Sequence, residues 1–205
     1  KWGNGRGSSD NQFDRPEDIV LSPFGIFVAD TGNDRIMKFN NNFEFVDKWG
    51  AKGTGNGQFI HPHAIDVDSK GNVYVGELNE PGVQVFDSNG KFLKRWGSIG
   101  TGDGQSSIPQ EHIAIDSKDR VYVVDGASNP RVQIFDTNGT FLGKIGSACQ
   151  MSTGKGCIDP DGPGPLKVGD GQFSKPEHVS IDSEGNVFVV DRGNQRIQVF
   201  APVTN

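Results

Sequence analysis

Residues 58–97 read QFIHPHAIDVDSKGNVYVGELNEPGVQVFDSNGKFLKRWG, and the order of residue types in this stretch decides the fold. Apolar and polar residues alternate over residues 64–67, which is the period-2 pattern of a strand with one buried face. Three more runs rich in β-branched and aromatic residues begin at Val73, Val83 and Phe92, and turn residues separate them. The stretch therefore predicts a four-stranded antiparallel meander.

The same order of residue types occurs four times along the chain. Each copy begins with a glutamine, and the four are Gln12, Gln58, Gln105 and Gln172. A proline follows in each copy, and the four are Pro16, Pro62, Pro109 and Pro176. Four-stranded sheets repeated around one axis form a β-propeller. The sequence therefore predicts an all-β fold, a β-propeller with four blades in this chain.

The repeat also predicts the boundaries within a single domain of residues 1–205. The expected ranges are blade 1 at 12–57, blade 2 at 58–104, blade 3 at 105–171 with an inserted loop at 148–167, and blade 4 at 172–205 plus 1–3. Residues 1–3 match the fourth strand at residues 48–50, whereas the last copy ends on a third strand at residues 198–200. We expect residues 1–3 to pair beside that strand and close the ring, because closure removes an exposed sheet edge. A part of a longer propeller is the alternative.

Composition and charge agree with short strands and argue against some partners. The chain has 29 glycines and a formal net charge of −6, with lysine and arginine scattered among carboxylates. No basic stripe is present that could release counterions from a nucleic acid. No apolar run reaches the roughly 18 residues of a membrane span. We therefore expect neither a nucleic acid partner nor a membrane-spanning segment.

Two features indicate an oxidising compartment. Cys149 and Cys157 lie close together in a glycine-rich stretch without the spacing of a metal site, so we expect a disulfide between them. Asn138 begins an Asn-Gly-Thr sequon, a candidate glycosylation site. Both features predict an extracellular or cell-surface protein.

Three strings resemble the NHL repeat, namely ADTGNDRIMKF at 29–39, VVDRGNQRIQVF at 189–200 and FLKRWGSIGTGDGQ at 92–105. The resemblance covers nearly the whole chain apart from the cysteine loop, and it implies the propeller fold. Function does not follow from it, because NHL propellers include protein-binding, RNA-binding and enzymatic members. The acidic charge disfavours RNA.

Repeated charged and aromatic positions are best interpreted as structural. An acidic residue ends the second strand of three copies and an arginine precedes the third strand, in the pairs Asp30 with Arg35, Asp125 with Arg131 and Asp191 with Arg196. Such pairs are expected to brace their own loops. Copy two breaks this pattern with Glu77 and Gly82. The tryptophans at 2, 49 and 96 recur at one position, which predicts packing between blades.

The residues after the repeat prolines are the candidate functional site. They enter the innermost strands, which line the channel of a propeller, and they comprise Glu17, Asp18, His63, Glu111, His112, Glu177 and His178. Imidazole and carboxylate groups bind divalent ions, so His63, His112, His178, Glu17 and Asp18 are the expected ligands if the channel holds zinc or calcium. A polar lining of a water-filled channel is the alternative interpretation.

The segment at residues 62–65 resembles the Pro-His segments that donate zinc ligands in peptidylglycine amidating lyases, which are NHL-like propellers. The other histidines lie one or more positions later, and the lyase's catalytic tyrosine and arginine have no match here. We therefore predict an extracytoplasmic binding or scaffold propeller that presents loops and a channel mouth to a protein or glycan partner. The alternative is a metal-dependent lyase or lactonase whose metal site contains the channel histidines. The sequence does not specify the oligomeric state.

Overall fold

The computed structural model describes residues 2–106, 110–126, 129–148 and 171–203 of the chain. Apart from strands and turns, these ranges contain two short 3-10 segments, at Thr31–Asn33 and Arg192–Asn194. The described residues include no helix with the length and hydrophobicity that a membrane crossing requires.

Four antiparallel sheets, each in simple chain order, make the blades. Blade 1 contains β1 (Pro16–Ser22), β2 (Gly25–Asp30), β3 (Arg35–Phe39) and β4 (Phe45–Trp49). Blade 2 contains β5 (Pro62–Val67), β6 (Val73–Glu77), β7 (Val83–Phe86) and β8 (Phe92–Trp96), and the parallel pair β9 (Ser98–Ile99) and β10 (Gln105–Ser106) follows it. Blade 3 contains β11 (Gln110–Ile115), β12 (Val121–Asp125), β13 (Arg131–Phe135) and β14 (Phe141–Ile145). A second parallel pair, β15 (Ser147–Ala148) and β16 (Gln172–Phe173), precedes blade 4, which contains β17 (Pro176–Ile181), β18 (Val187–Asp191) and β19 (Arg196–Phe200). The predicted all-β propeller of four blades is confirmed.

The core lies between neighbouring blades. Side chains from the second and third strands of one blade interdigitate with the inner strands of the next, as Phe27 and Ile36 of blade 1 do with Ile65 and Val73 of blade 2. Apolar alternation along each strand produces this arrangement, because every second side chain points to the same face. Similar clusters join blade 2 to blade 3 and blade 3 to blade 4.

Ring closure by the N-terminal strand is not what the structure shows. In the described residues β19 pairs with β18 alone, so blade 4 has three strands. Trp2 lies outside any strand and packs its ring against Phe13, Phe39 and Phe43 of blade 1. Burial of the indole against three phenylalanines holds this segment on blade 1 rather than beside β19. The four blades therefore form an open arc.

Each innermost strand carries a β-bulge at the same place. The register with the second strand shifts after the first residue, between Pro16 and Asp18 in blade 1 and between Gln110 and His112 in blade 3. Equivalent shifts occur in blades 2 and 4. Gln110 thus occupies the position of the other prolines, whereas Pro109 lies outside the described residues. A bulge inserts one unpaired residue and changes the direction of the side chains around it, a common device beside binding sites.

Candidate functional site

The bulges bring one or two residues from each inner strand to a single cavity of about 350 Å³. Its lining is Glu17, Asp18, His63, Glu111, His112, Glu177 and His178. These are the residues that sequence reasoning placed together, and they come from four strands far apart in the chain. The repeat explains the convergence, because equivalent positions of radially arranged blades face the same axis.

Partly buried aspartates join the inner strands beside this cavity. Asp18 Oδ2 of β1 accepts a hydrogen bond from the Ile65 backbone N–H of β5 at 2.8 Å. One blade further, Asp66 Oδ2 of β5 accepts from the Ile115 N–H of β11 at 2.6 Å. Charge-assisted bonds of this kind fix the spacing between neighbouring strands. Asp18 therefore has a structural role in addition to its place in the cavity wall.

The three histidines contact different neighbours. His112 Nε2 lies 3.5 Å from Asp18 Oδ2, and the His112 and His178 ring centroids are 3.7 Å apart. His63 Nδ1 lies 2.9 Å from the Glu111 carbonyl oxygen, with which it shares a hydrogen bond. The rings thus pack against one another and against the cavity wall.

Burial changes the protonation of the cavity side chains in opposite directions. It raises the pKa of Asp18 to about 6 and raises the pKa of Glu111. It lowers the pKa of His112 to about 3, with further contributions from His178 and His63, and it lowers the pKa of His178. Removal from water disfavours whichever form is charged. At neutral pH, Asp18 is therefore ionised and His112 is neutral, so the cavity is acidic.

A basic side chain already lies at the cavity mouth. Arg192 Nη1, in the 3-10 segment after β18, donates a hydrogen bond to Glu177 Oε1. Both side chains are substantially exposed, so the pair contributes little to stability. The contact shows, however, that a guanidinium group can approach the lining carboxylates from solvent.

The described residues do not form a metal site. Within them, no group of three or more His, Cys, Asp or Glu side chains is arranged to hold an ion. The His63 Nδ1 hydrogen bond to a carbonyl leaves only Nε2 for a metal, and the His112 and His178 rings pack against each other at an interplanar angle of 47°. Zinc ligation requires nitrogen atoms within about 2.1 Å of one point. The expected site with His63, His112, His178, Glu17 and Asp18 around zinc or calcium has no support in this geometry.

The repeated acidic and arginine residues form ion pairs at the end of blades 1, 3 and 4. Arg35 Nε lies 2.7 Å from Asp30 Oδ2 and Arg131 Nε lies 3.0 Å from Asp125 Oδ2. In blade 4, Arg196 Nε lies 3.2 Å from Asp191. The carboxylates also accept bonds from loop N–H groups, as Asp30 does from Asp14. These pairs brace the loops that lead into the inner strands.

The sequence analysis did not predict a repeated glutamine that hydrogen-bonds to the aspartate or glutamate of these contacts. Gln84, Gln133 and Gln198 each donate to the acidic residue of their blade and to a backbone carbonyl at the start of the repeat. The strings VQVF at 83–86, VQIF at 132–135 and IQVF at 197–200 carried the signal. A buried amide with both donors satisfied is typical of a structural network.

The structure describes one of the two predicted modification sites and not the other. The expected disulfide of Cys149 and Cys157 lies outside the described residues. Asn138 lies exposed in the turn between β13 and β14, where its Oδ1 accepts from Lys94 Nζ at 3.0 Å.

Parts of the chain are similar to a repeat found in known proteins. The profile of the NHL repeat family matches residues 173–200. Human NHL repeat-containing protein 3 is 34% identical over 68 residues, which are 31% of this chain and 20% of that protein. The last copy of the repeat thus matches the NHL repeat, and the chain is similar to an NHL-repeat protein over about a third of its length. The chain also resembles solved structures at low identity, which supports the fold alone.

Two of these structures illustrate the likeness. A Bacteroides caccae protein of unknown function has a TM-score of 0.57 and 15% identity, over 86% of this chain and 56% of that one. The virginiamycin B lyase of Staphylococcus aureus has a TM-score of 0.57 and 11% identity, over 91% and 55%. The chain thus spans about half the length of these two solved proteins and matches a fifth of its human relative.

Proposed function

We propose that this NHL-repeat propeller is an extracytoplasmic binding module whose acidic cavity receives a lysine or arginine side chain of a protein partner. The observation that carries the proposal is the lining itself. It has four carboxylates from three strands, and its described residues include no lysine or arginine. Clefts lined by one sign of charge attract groups of the opposite sign.

The contact between Arg192 and Glu177 supports the chemistry of this proposal. It shows that carboxylates at the mouth lie within reach of a guanidinium group. Arginine carries five N–H donors in a planar fork, and carboxylates pair with it at two points. Deeper in the cavity Asp18 lies in a drier environment, where an attraction between charges is stronger than in water.

The location outside the cytoplasm is part of the same proposal. Its support is the cysteine pair at 149 and 157 and the exposed sequon at Asn138. A metal-dependent enzyme is the less favoured function, since the described residues do not arrange ligands around a common point.

Titration with Nα-acetyl-arginine amide, followed by NMR shifts of the backbone amides of residues 17, 63, 111 and 177, tests the proposal. We expect saturable shifts with a Kd on the order of 1 mM, since one side chain supplies few contacts. The double variant Glu17→Gln, Glu111→Gln should weaken binding about tenfold, because it removes two charges from the cavity. Binding should also weaken below pH 6, where Asp18 becomes protonated.

Glu184→Gln is the matched control, because Glu184 lies exposed in the turn between β17 and β18, at the opposite end of the blade. It should bind like the wild type. Absence of saturable shifts at the cavity amides, or equal binding by the double variant, would contradict the proposal. If a neutral oligosaccharide produces the shifts and the arginine derivative does not, the cavity binds a glycan, and the proposed binding of a basic side chain is wrong.

A further inference from the structure

Basic residues occupy one position of the repeat just outside the acidic cavity. They directly precede the proline that begins β1, β5 and β17, and they are Arg15, His61 and Lys175. All three have positive φ angles, 49°, 59° and 58°. This backbone conformation is uncommon for residues other than glycine, and such strain is frequent around binding sites. The repeat thus places a basic side chain two residues before the cavity carboxylates of Glu17 and Glu177.

Two cations, Lys175 and Arg192, lie at the mouth of the cavity on the side of blade 4. Arg192 Nη1 donates a hydrogen bond to Glu177, and the other four N–H groups of Arg192 have no acceptor among the described residues. Lys175 is exposed and makes no hydrogen bond or ion pair within the same part of the chain. Burial raises the pKa of Glu111, whereas the positive charges of Arg192 and Lys175 lower it, so both cations act on this carboxylate. The mouth therefore offers donors to an anionic group.

The Glu111 carboxylate is open to a ligand, whereas that of Glu177 is already paired. Glu111 and Glu177 are the unpaired residues of equivalent bulges. Arg192 pairs with Glu177, but Gly126 takes the place of Arg192 in blade 3. A Cβ atom at residue 126 would lie 2.8 Å from Glu111 Oε1, so this carboxylate lies against a residue that has no side chain. Within the ranges that the structure describes, no donor bonds the Glu111 carboxylate, so the basic group of a ligand can pair with it.

We propose that the partner presents its basic side chain on a C-terminal residue, whose free α-carboxylate binds Lys175 and Arg192 while the side chain pairs with Glu111. This inference rests on the proposed function, since it names the class of basic residue that the cavity receives. A C-terminal arginine or lysine carries both charges within one residue, whereas an internal one lacks the anion. On their own, Lys175 and Arg192 repel an approaching cation, and a carboxylate beside that cation offsets the repulsion.

Titrations with Nα-acetyl-arginine and with Nα-acetyl-arginine amide, followed by NMR shifts of the backbone amides of residues 111, 175, 177 and 192, test the proposal. The two probes differ only in the carboxylate. We expect the acid to bind at least about fivefold more tightly than the amide, because the carboxylate adds charge-assisted hydrogen bonds. Nα-acetyl-glycine has the carboxylate without the basic side chain, and it should bind at least about tenfold more weakly than Nα-acetyl-arginine.

The double variant Lys175→Gln, Arg192→Gln tests the two residues assigned to the carboxylate. It should bring the ratio of the two dissociation constants to about one, because neither glutamine carries a positive charge. The matched control is Lys70→Gln, Lys118→Gln, which removes the same charge from exposed turns at the opposite end of blades 2 and 3. The control should keep the wild-type preference for the acid. Circular dichroism checks that both double variants fold.

Four results would overturn the proposal. Equal binding of the acid and the amide by the wild type would leave the proposed function intact and reject the C-terminal carboxylate. Binding of Nα-acetyl-glycine as tight as that of Nα-acetyl-arginine would mean that the cations bind anions independently of the cavity. A preference for the acid that persists in Lys175→Gln, Arg192→Gln would assign the carboxylate to other residues. Saturable shifts from neither arginine probe would reject the proposed function as well.

Discussion

At the scale of single residues, burial of the His112 imidazole sets a pH dependence of folding. Its pKa in the folded chain is lowered from 6.5 to about 3, mainly by burial. Because the folded pKa is depressed, the stability linked to this group is complete above about pH 6.5 and falls as the pH falls toward 3. The raised pKa of Asp18, about 6, acts in the opposite direction: its contribution is complete below about pH 4 and is lost as the pH rises through 6.

Replacement of His112 by glutamine should therefore relieve the acid sensitivity that the imidazole causes. We expect the free energy of unfolding of His112→Gln, relative to the wild type, to rise by about 2 to 3 kcal/mol between pH 7 and pH 4. Urea denaturation at the two pH values measures this difference. The Asp18 contribution is present in both proteins and largely cancels.

The control for this measurement is His61→Gln. His61 lies outside the cavity, and its ring contacts the exposed Asn79 side chain. This variant removes an imidazole that does not line the cavity, so it controls for a general effect of the His-to-Gln substitution. A His112→Gln difference that stays constant between the two pH values would show that the imidazole is not held neutral by burial.

At the scale of strands, blade 2 pairs its acidic residue with an arginine from a different strand. Gly82 occupies the position of Arg35 and Arg131, and Arg95 of β8 approaches Glu77 to 4.0 Å instead. A Cβ atom at residue 82 would lie 2.4 Å from the Trp96 carbonyl oxygen. Because glycine has no side chain, the backbone of β8 can lie close to the backbone at residue 82.

Gly82→Ala should consequently destabilise the chain by about 2 to 4 kcal/mol, because the methyl group meets backbone atoms that cannot easily move. Gly57→Ala is the matched control. Both residues have positive φ angles, +92° and +78°, but nothing lies within 4 Å of a Cβ at residue 57. The control should lose about 1 kcal/mol from backbone strain alone. Chemical denaturation of both variants measures the difference, and equal losses would contradict a steric role for Gly82.

At the scale of the whole molecule, the arc has two inner blades covered on both faces and two end blades covered on one. In repeat proteins, stability comes from each repeat and from its interfaces with neighbours, so an end blade has one stabilising interface fewer. Local opening is expected to occur first where fewer apolar contacts hold the strands.

Hydrogen exchange should show this gradient. We expect amides of β12 and β13 to exchange at least about tenfold more slowly than those of β18 and β19, which corresponds to about 1.4 kcal/mol of local stability. Hydrogen exchange of the wild-type chain followed by mass spectrometry makes the measurement. Uniform protection in all four blades would mean that the arc opens only as a single cooperative unit.

The sequence by itself determined the blades, their strands and the lining of the cavity. Alternation of apolar residues specifies which face of a strand is buried, and turn residues specify where strands end. Because the repeat places Glu17, His63, Glu111 and Glu177 at equivalent positions, their meeting at one axis followed without coordinates. The ion pairs at Asp30, Asp125 and Asp191 were predictable for the same reason.

Tertiary structure alone decided the features that depend on distance and burial. Whether Trp2 packs on Phe39 or lies beside β19 depends on which surface buries more of the indole, and local pattern does not report it. The tilted contact of the His112 ring with the His178 ring and the pKa values in the cavity depend likewise on side-chain directions and exclusion of water. Periodicity specifies which residues share a face, whereas only packing in three dimensions determines how close they come and what covers them.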